Sequence, residues 1–180
     1  MVKNMIRIYV TNLRKYNEGH IIGKWLELPE SDEQIEKVLK EIGIGQECNE
    51  YFISDFECSV PGINIKKNSS IDDLNEIADN LLNMDEDEIK VCSTIMKNEN
   101  CTLDKAMEEK DNRLVINLNR SNSNTYINLA YSYIEHLFDG DITKIGRETI
   151  EKYFDFERFG EDLKMDFNID DDETIAVSNS

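Results

Sequence analysis

The residues able to do chemistry in this 180-residue chain are few and scattered. Four cysteines, Cys48, Cys58, Cys92 and Cys101, form no Cys-x-x-Cys pair, and with only His20 and His136 beside them no zinc-ligand grouping emerges. Reduced, mostly buried thiols are what that spacing implies. A phosphate-binding loop needs four residues between its glycines and a Ser or Thr after its lysine. Here only three residues separate Gly19 from Gly23, and Lys24 precedes Trp25. Nucleophilic catalysis needs a Ser or Cys with a positioned base, and neither histidine, one beside a turn and one late in a helix, neighbours such a motif. Paired carboxylates for glycoside chemistry are defined by separation in space, and nothing in the sequence selects a pair. The reading is therefore of a protein that is not an enzyme and uses no cofactor.

Carboxylates are abundant instead: 38 Asp and Glu against 20 Lys and Arg, for a net charge of -18 and a pI near 4.4. Two acidic runs invite a hard-cation site. Asp85-Glu86-Asp87-Glu88 opens a helix, however, where acids favour the dipole and otherwise point in different directions. Asp170-Asp171-Asp172-Glu173 lacks the Gly and distal Glu of a calcium loop. Both read as solvated charge, and no metal site is expected. Direct nucleic-acid binding is contraindicated, because phosphate contacts need clustered Lys and Arg. Net charge this far from zero opposes compaction by self-repulsion, so it suggests a basic partner; improved solubility is the competing explanation. With 39% hydrophobic residues the chain can still fold. It has no stretch of roughly 20 apolar residues that could span a membrane, and MVKNMIRIYV shows no cleavage signature, so a cytoplasmic location is expected.

The charge is unevenly placed. Acids and bases number 11 and 9 over residues 1–71, 13 and 4 over 72–111, and 14 and 7 over 112–180, giving net charges of -2, -9 and -7. The elements that must position it follow from periodicity. In MIRIYV, Ile6, Ile8 and Val10 alternate with polar neighbours as in a half-buried strand. IIGKWLEL returns antiparallel after a turn at Asn17–Gly19. Ser31, with Gln34 three residues on, caps a helix whose stripe is Ile35, Val38, Leu39 and Ile42, and YFISDFE is a third strand. Pro61, Gly62 and KKNSS mark a boundary. Ser70 then caps a helix from Ile71 to Leu82, followed by helices marked by Ile89 to Met96 and by Leu103 to Met107. RLVINL opens the last third, with a helix carrying Ile127 to Phe138, another from Asp141 to Phe154, and short strand-like pieces around Phe167 and Ile175. The fold class expected is α+β, in three small domains: 1–62 (α+β), 63–112 (helical) and 113–180 (α+β).

IYVTNLRKYNEGHIIGKWLELP at residues 8–29 resembles the opening of the ArdA antirestriction family. EYFISDFE at 50–57, SIDDLNEI at 70–77, AYSYIEHLFDGDI at 130–142 and YFDFERFGEDL at 153–163 continue the resemblance in family order. It implies an elongated three-domain homodimer, joined through its C-terminal domain, whose carboxylates follow a curved surface like bent duplex DNA. It also implies a partner, the DNA-binding methyltransferase core of type I restriction-modification enzymes. The chain departs from the family pattern in the polar NLNRSNSN stretch at 117–124 and in its lysine-bearing first third. Duplex DNA carries one charge per roughly 1.7 Å. The 36 net negatives of a dimer, twice the 18 of one chain, would match about 60 Å of duplex.

Helical spacing turns Asp72, Glu76 and Asp79 away from the apolar stripe of their helix, and Glu148 and Glu151 away from theirs, with Asp155 just beyond. Together with Glu86 and Asp87 they represent a distributed partner-binding surface, although any one of them alone reads first as an ordinary solvated acid. Tyr9, Trp25, Phe52, Phe154, Phe156 and Phe159 read as packing residues; Tyr131, Ile134 and Phe138 fit either a dimer seam or helix-to-sheet packing. Two other classes stay open: an acidic adaptor binding a basic protein outside any DNA channel, and a metal-dependent enzyme whose carboxylates converge only in the fold.

Overall fold

The computed structural model describes residues 5–45, 50–118, 122–137 and 146–179, the side chains of residues 147 and 148 excepted. In chain order the elements are β1 (Ile6–Asn12), α1 (Leu13–Asn17), β2 (Gly23–Leu28), α2 (Asp32–Glu41), β3 (Tyr51–Cys58), α3 (Ile71–Leu82), α4 (Glu86–Glu99), α5 (Leu103–Glu109), a 3-10 turn, β4 (Val115–Asn117), α6 (Thr125–Leu137), α7 (Arg147–Tyr153), α8 (Phe156–Leu163), β5 (Phe167–Ile169) and β6 (Ile175–Ser178). The mixture of helix and antiparallel sheet agrees with the α+β expectation. Two compact units divide the chain, Met1–Ile89 and Lys90–Ser180, so the division falls within α4.

In the first unit β1 is central, with β2 and β3 antiparallel on either side. The register places Ile6, Ile8, Val10, Leu26, Leu28 and Ile53 on one face, and all are buried. On the other face the Arg7 guanidinium lies 4.4 Å over the Trp25 ring and pairs with Glu27 and Glu57, while Tyr9 meets Trp25 edge-on. Asn12 closes β1 and caps the short α1, for which the sequence pattern predicts no element: its side chain accepts from Lys15 N–H and donates to the Ile42 carbonyl.

Helix α3 is attached to this sheet. Its Ile71 N–H donates to the Tyr51 hydroxyl at 3.3 Å, and Asn75 bonds the backbone just beyond β2. Ile71, Leu74, Ala78 and Leu81 are buried. Burying one such Leu or Ile contributes about 1.5–3 kcal/mol, against roughly 0–1 for an exposed ion pair, so the apolar face decides which way α3 turns.

In the second unit β6 lies between β4 and β5. Its core joins Ile116, Leu129, Ala130, Ile134, Phe156, Leu163, Phe167 and Ala176. Tyr131 stacks on Phe156 at 3.8 Å and Ile134 is buried, so internal packing accounts for both; Phe138 lies outside the described residues. Gly160 of α8 meets the Tyr126 backbone of α6, and only a residue without Cβ permits that approach. The nearly buried Arg113 guanidinium pairs with Glu99 and Glu109, both at 2.5 Å, and reaches the Ser178 carbonyl.

Part of the polar stretch at 117–124 proves structural. The Asn124 side chain accepts from Tyr126 and Ile127 N–H at the start of α6, and buried Asn128 exchanges two hydrogen bonds with the Asn122 backbone. Helix α7 is described from Arg147, preceded by Gly146 at φ +76°; the expected start at Asp141 lies outside the described residues. One expectation is overturned. Asp170 is not solvated charge but is buried, its carboxylate accepting from the N–H groups of Thr174 and Ile175 and from the Thr174 hydroxyl. A carboxylate that closes a turn satisfies three donors that burial would otherwise orphan.

Candidate acidic interface

Ser70 caps α3 by accepting from Asp73 N–H at 3.3 Å, and the buried stripe fixes the helix's azimuth. Asp72, Glu76 and Asp79 then share one exposed face at spacings of four and three residues. The β2–α2 connection and the start of α2 stand across a cleft of about 490 Å³ and contribute Glu30 and Asp32 to the same lining. Five carboxylates therefore border one concavity, and among the described residues no cation lines it. Asn75, on the acidic face of α3, bridges it: its Oδ1 accepts from Glu30 N–H at 2.8 Å, and its Nδ2 donates to the Glu30 carbonyl at 3.0 Å.

The run at 85–88 divides by role. The Asp85 carboxylate accepts from Glu88 N–H at 2.8 Å, and the Glu88 carboxylate accepts from Asp85 N–H at 3.1 Å, a reciprocal capping box at the start of α4. Glu86 and Asp87 are left exposed to solvent. On the second unit Glu151 is exposed on α7, and Asp155 is exposed but also caps α8 by accepting from Arg158 N–H at 3.0 Å. The side chain of Glu148 lies outside the described residues. Within the first unit the structure thus gathers Asp72, Glu76 and Asp79 into one cleft.

Several carboxylates elsewhere are matched by cations. Glu18 is held below the usual carboxylate range by hydrogen bonds from Lys15 and Arg14, and Glu41 by Lys24. Glu27 and Glu57 flank Arg7, Glu36 pairs with Lys40, Glu109 is lowered chiefly by Arg113, Glu161 pairs with Lys164 and Asp171 with Lys97. Among the described residues, no cation lies within ion-pair reach of Asp72, Glu76, Asp79, Glu86 or Asp87. Along α3 and the start of α4, in the sequence's most acidic segment, five exposed carboxylates thus have no matching cation among the described residues.

Sequence reasoning missed Glu30 and Asp32, because they belong to a segment that is nearly neutral by count and join the acidic face only through the packing of α3. Asn75 carried no signal beyond being a polar residue in a helix. Among the described residues, no group of three or more His, Cys, Asp or Glu is placed to hold a metal ion, and no helix is long and apolar enough to cross a membrane. Among the described residues Cys58, Cys92 and Cys101 form no disulfide, Cys92 buried and the others half-buried; desolvation pushes the thiols of Cys58 and Cys101 above their ordinary range. Both histidines are exposed.

The family model described as antirestriction protein (ArdA) matches residues 8–174. No curated protein matches the chain.

Proposed function

This chain belongs to the ArdA family of antirestriction proteins, and on that premise we propose that it blocks type I restriction-modification enzymes by occupying the DNA-binding channel of their methyltransferase core. The carboxylates stand in for the phosphates of bent duplex DNA. The observation that carries the reading is the row Asp72, Glu76 and Asp79, exposed on one helix face without a matching cation. At 1.5 Å rise per residue the row places a charge every ~5 Å along the helix axis, comparable with the ~3.4 Å per phosphate along one DNA strand. Glu86, Asp87, Glu148, Glu151 and Asp155 extend the surface in this reading.

The three-domain division at 1–62, 63–112 and 113–180, an elongated form, a cytoplasmic location and a homodimer joined through the C-terminal third belong to the same proposal. Exposed Leu137, Tyr153, Phe154 and Met165 in that third support the dimer as apolar surface a second copy would cover. Light scattering at micromolar concentration showing only a 20.9 kDa particle would overturn it.

Occupation of the channel is competitive, steered by the long-range field, and weakened as salt screens it. The deciding experiment is competition between the protein and duplex DNA for a purified methyltransferase core, repeated between about 50 and 200 mM salt. Displacement of DNA is expected, with an affinity that falls with salt less steeply than that of DNA, because carboxylates on a folded protein lack the condensed counterions of a duplex. Binding that leaves DNA in place, or that ignores salt, would instead fit an acidic adaptor docking outside the channel.

A further inference from the structure

Asn75 has no role in the reading above, yet it makes two hydrogen bonds to the backbone of one residue on a different element. We propose that Asn75 is a positioning residue of the carboxylate surface, locking α3 to the β2–α2 connection so that Glu30 and Asp32 present their charge in fixed register with Asp72, Glu76 and Asp79. The inference rests on the DNA-mimic reading.

Asparagine is a mediocre helix former because its amide competes for nearby backbone groups. In α3 that amide is committed across the cleft, where it accepts from Glu30 N–H and donates to the Glu30 carbonyl, like one rung of a strand ladder. A single bond fixes a distance; two reciprocal bonds also fix rotation. Asn75 stands three residues after Asp72, one before Glu76 and four before Asp79, so its bridge ties the acidic row, whose azimuth the buried stripe sets, to the Glu30 backbone at a fixed separation. Five like charges lining one cleft with no cation among them push its walls apart. The Asn75 bridge opposes that push, and without it the two sets of carboxylates lose their common spacing.

The test is the affinity of Asn75→Ala and Asn75→Asp for the methyltransferase core, measured by DNA competition, with circular dichroism confirming the fold. Asn75→Asp separates position from charge, since it adds a negative charge while removing the donor to the Glu30 carbonyl. Asn75→Asp is expected to bind about fivefold more weakly at low salt, the equivalent of the one hydrogen bond it loses at ~1 kcal/mol, and Asn75→Ala, which loses both, no more tightly than that. The deficit should shrink as salt screens the repulsion across the cleft, which a merely destabilised fold would not do. Asn75→Asp binding as tightly as the native protein or tighter, or a deficit unchanged by salt, overturns the positioning role. A variant with Glu30, Asp32, Glu76 and Asp79 all changed to amides tells the two failures apart: undiminished competition by it refutes this carboxylate surface itself.

Discussion

Replacing Gly160 by Ala sets two effects of opposite sign against each other. Gly160 lies within α8, where an Ala gains roughly 1 kcal/mol of helix propensity over Gly. The new Cβ, however, would stand 2.5 Å from the Tyr126 carbonyl carbon, closer still to its oxygen, and 3.1 Å from its Cβ. These are mostly backbone atoms of α6 and cannot rotate away, so the helices must separate where Phe156 and Leu163 pack with Leu129 and Ala130 in one core. Overpacking of this kind costs about 1–3 kcal/mol, and a contact this close to main chain belongs at the upper end, so the clash wins by about 2 kcal/mol. For a unit of this size each kcal/mol moves the melting temperature by roughly 4–8 °C. A fall of about 8–16 °C is therefore expected in a thermal melt followed by circular dichroism, with Glu157→Ala, an exposed change on the same helix, as control. A melting temperature equal to or above the native one would refute the close α6–α8 contact.

Three further outcomes follow from the same geometry. Asp170→Asn should destabilise the protein most at neutral pH. Burial raises the Asp170 carboxyl, but bonds from Ile175 N–H and from the hydroxyl and N–H of Thr174, with Lys90 nearby, outweigh it and leave the group lowered. Its stabilisation is thus present above the unfolded value of about 3.9 and lost as pH falls through the lower folded one, so the gap to Asp170→Asn in urea denaturation should narrow between pH 7 and about pH 3; an unchanged gap contradicts this. Asn80→Lys places a cation four residues after Glu76 and should raise stability by a few tenths of a kcal/mol while weakening DNA competition; stronger competition would count against a carboxylate surface. Glu76→Gln alone should alter competition little, because one exposed charge is worth about 0–1 kcal/mol, whereas amides at Asp72, Glu76, Asp79, Glu148, Glu151 and Asp155 together should weaken it markedly. Asn is itself a good cap, so the change at Asp155 leaves α8 capped; a single substitution abolishing inhibition in an intact fold would point to a local hot spot instead.

Where neighbours in sequence decide the structure, the sequence was readable. The alternation of Ile6, Ile8 and Val10 gave β1 its buried face, and Ser31 and Ser70 start α2 and α3 as their spacing predicts. The span of α3 matches its periodicity residue for residue, because its stripe is regular and its cap unambiguous. What stayed hidden depends on distant partners. Asp170 sits in an acidic run like any solvated one, and only the closing of the turn to Ile175 buries it. Asp85 and Glu88 are indistinguishable by type from Glu86 and Asp87 until the capping box claims the outer pair. Glu30 and Asp32 enter the acidic face through the packing of α3 against β2, which no local pattern encodes.

The contrast between α2 and α3 argues that the charge on α3 is not there for the fold. Helix α2 interleaves its signs, and Lys40 reaches back to Glu36 at 3.0 Å, the i,i+4 arrangement that stabilises an exposed helix. Helix α3 carries four acids and no Lys or Arg. Asp72 and Asp73, in its first turn, gain from the helix dipole. Glu76 and Asp79 lie beyond its reach, and Asp72 with Glu76 forms a like-charge i,i+4 pair that costs about 0.2–0.5 kcal/mol. Solubility alone would be served as well by acids dispersed among cations, without that cost. The helix bears it on the one face that also borders the Glu30 and Asp32 carboxylates, so the arrangement makes sense when a cationic surface outside the chain supplies the counter-charge the chain omits.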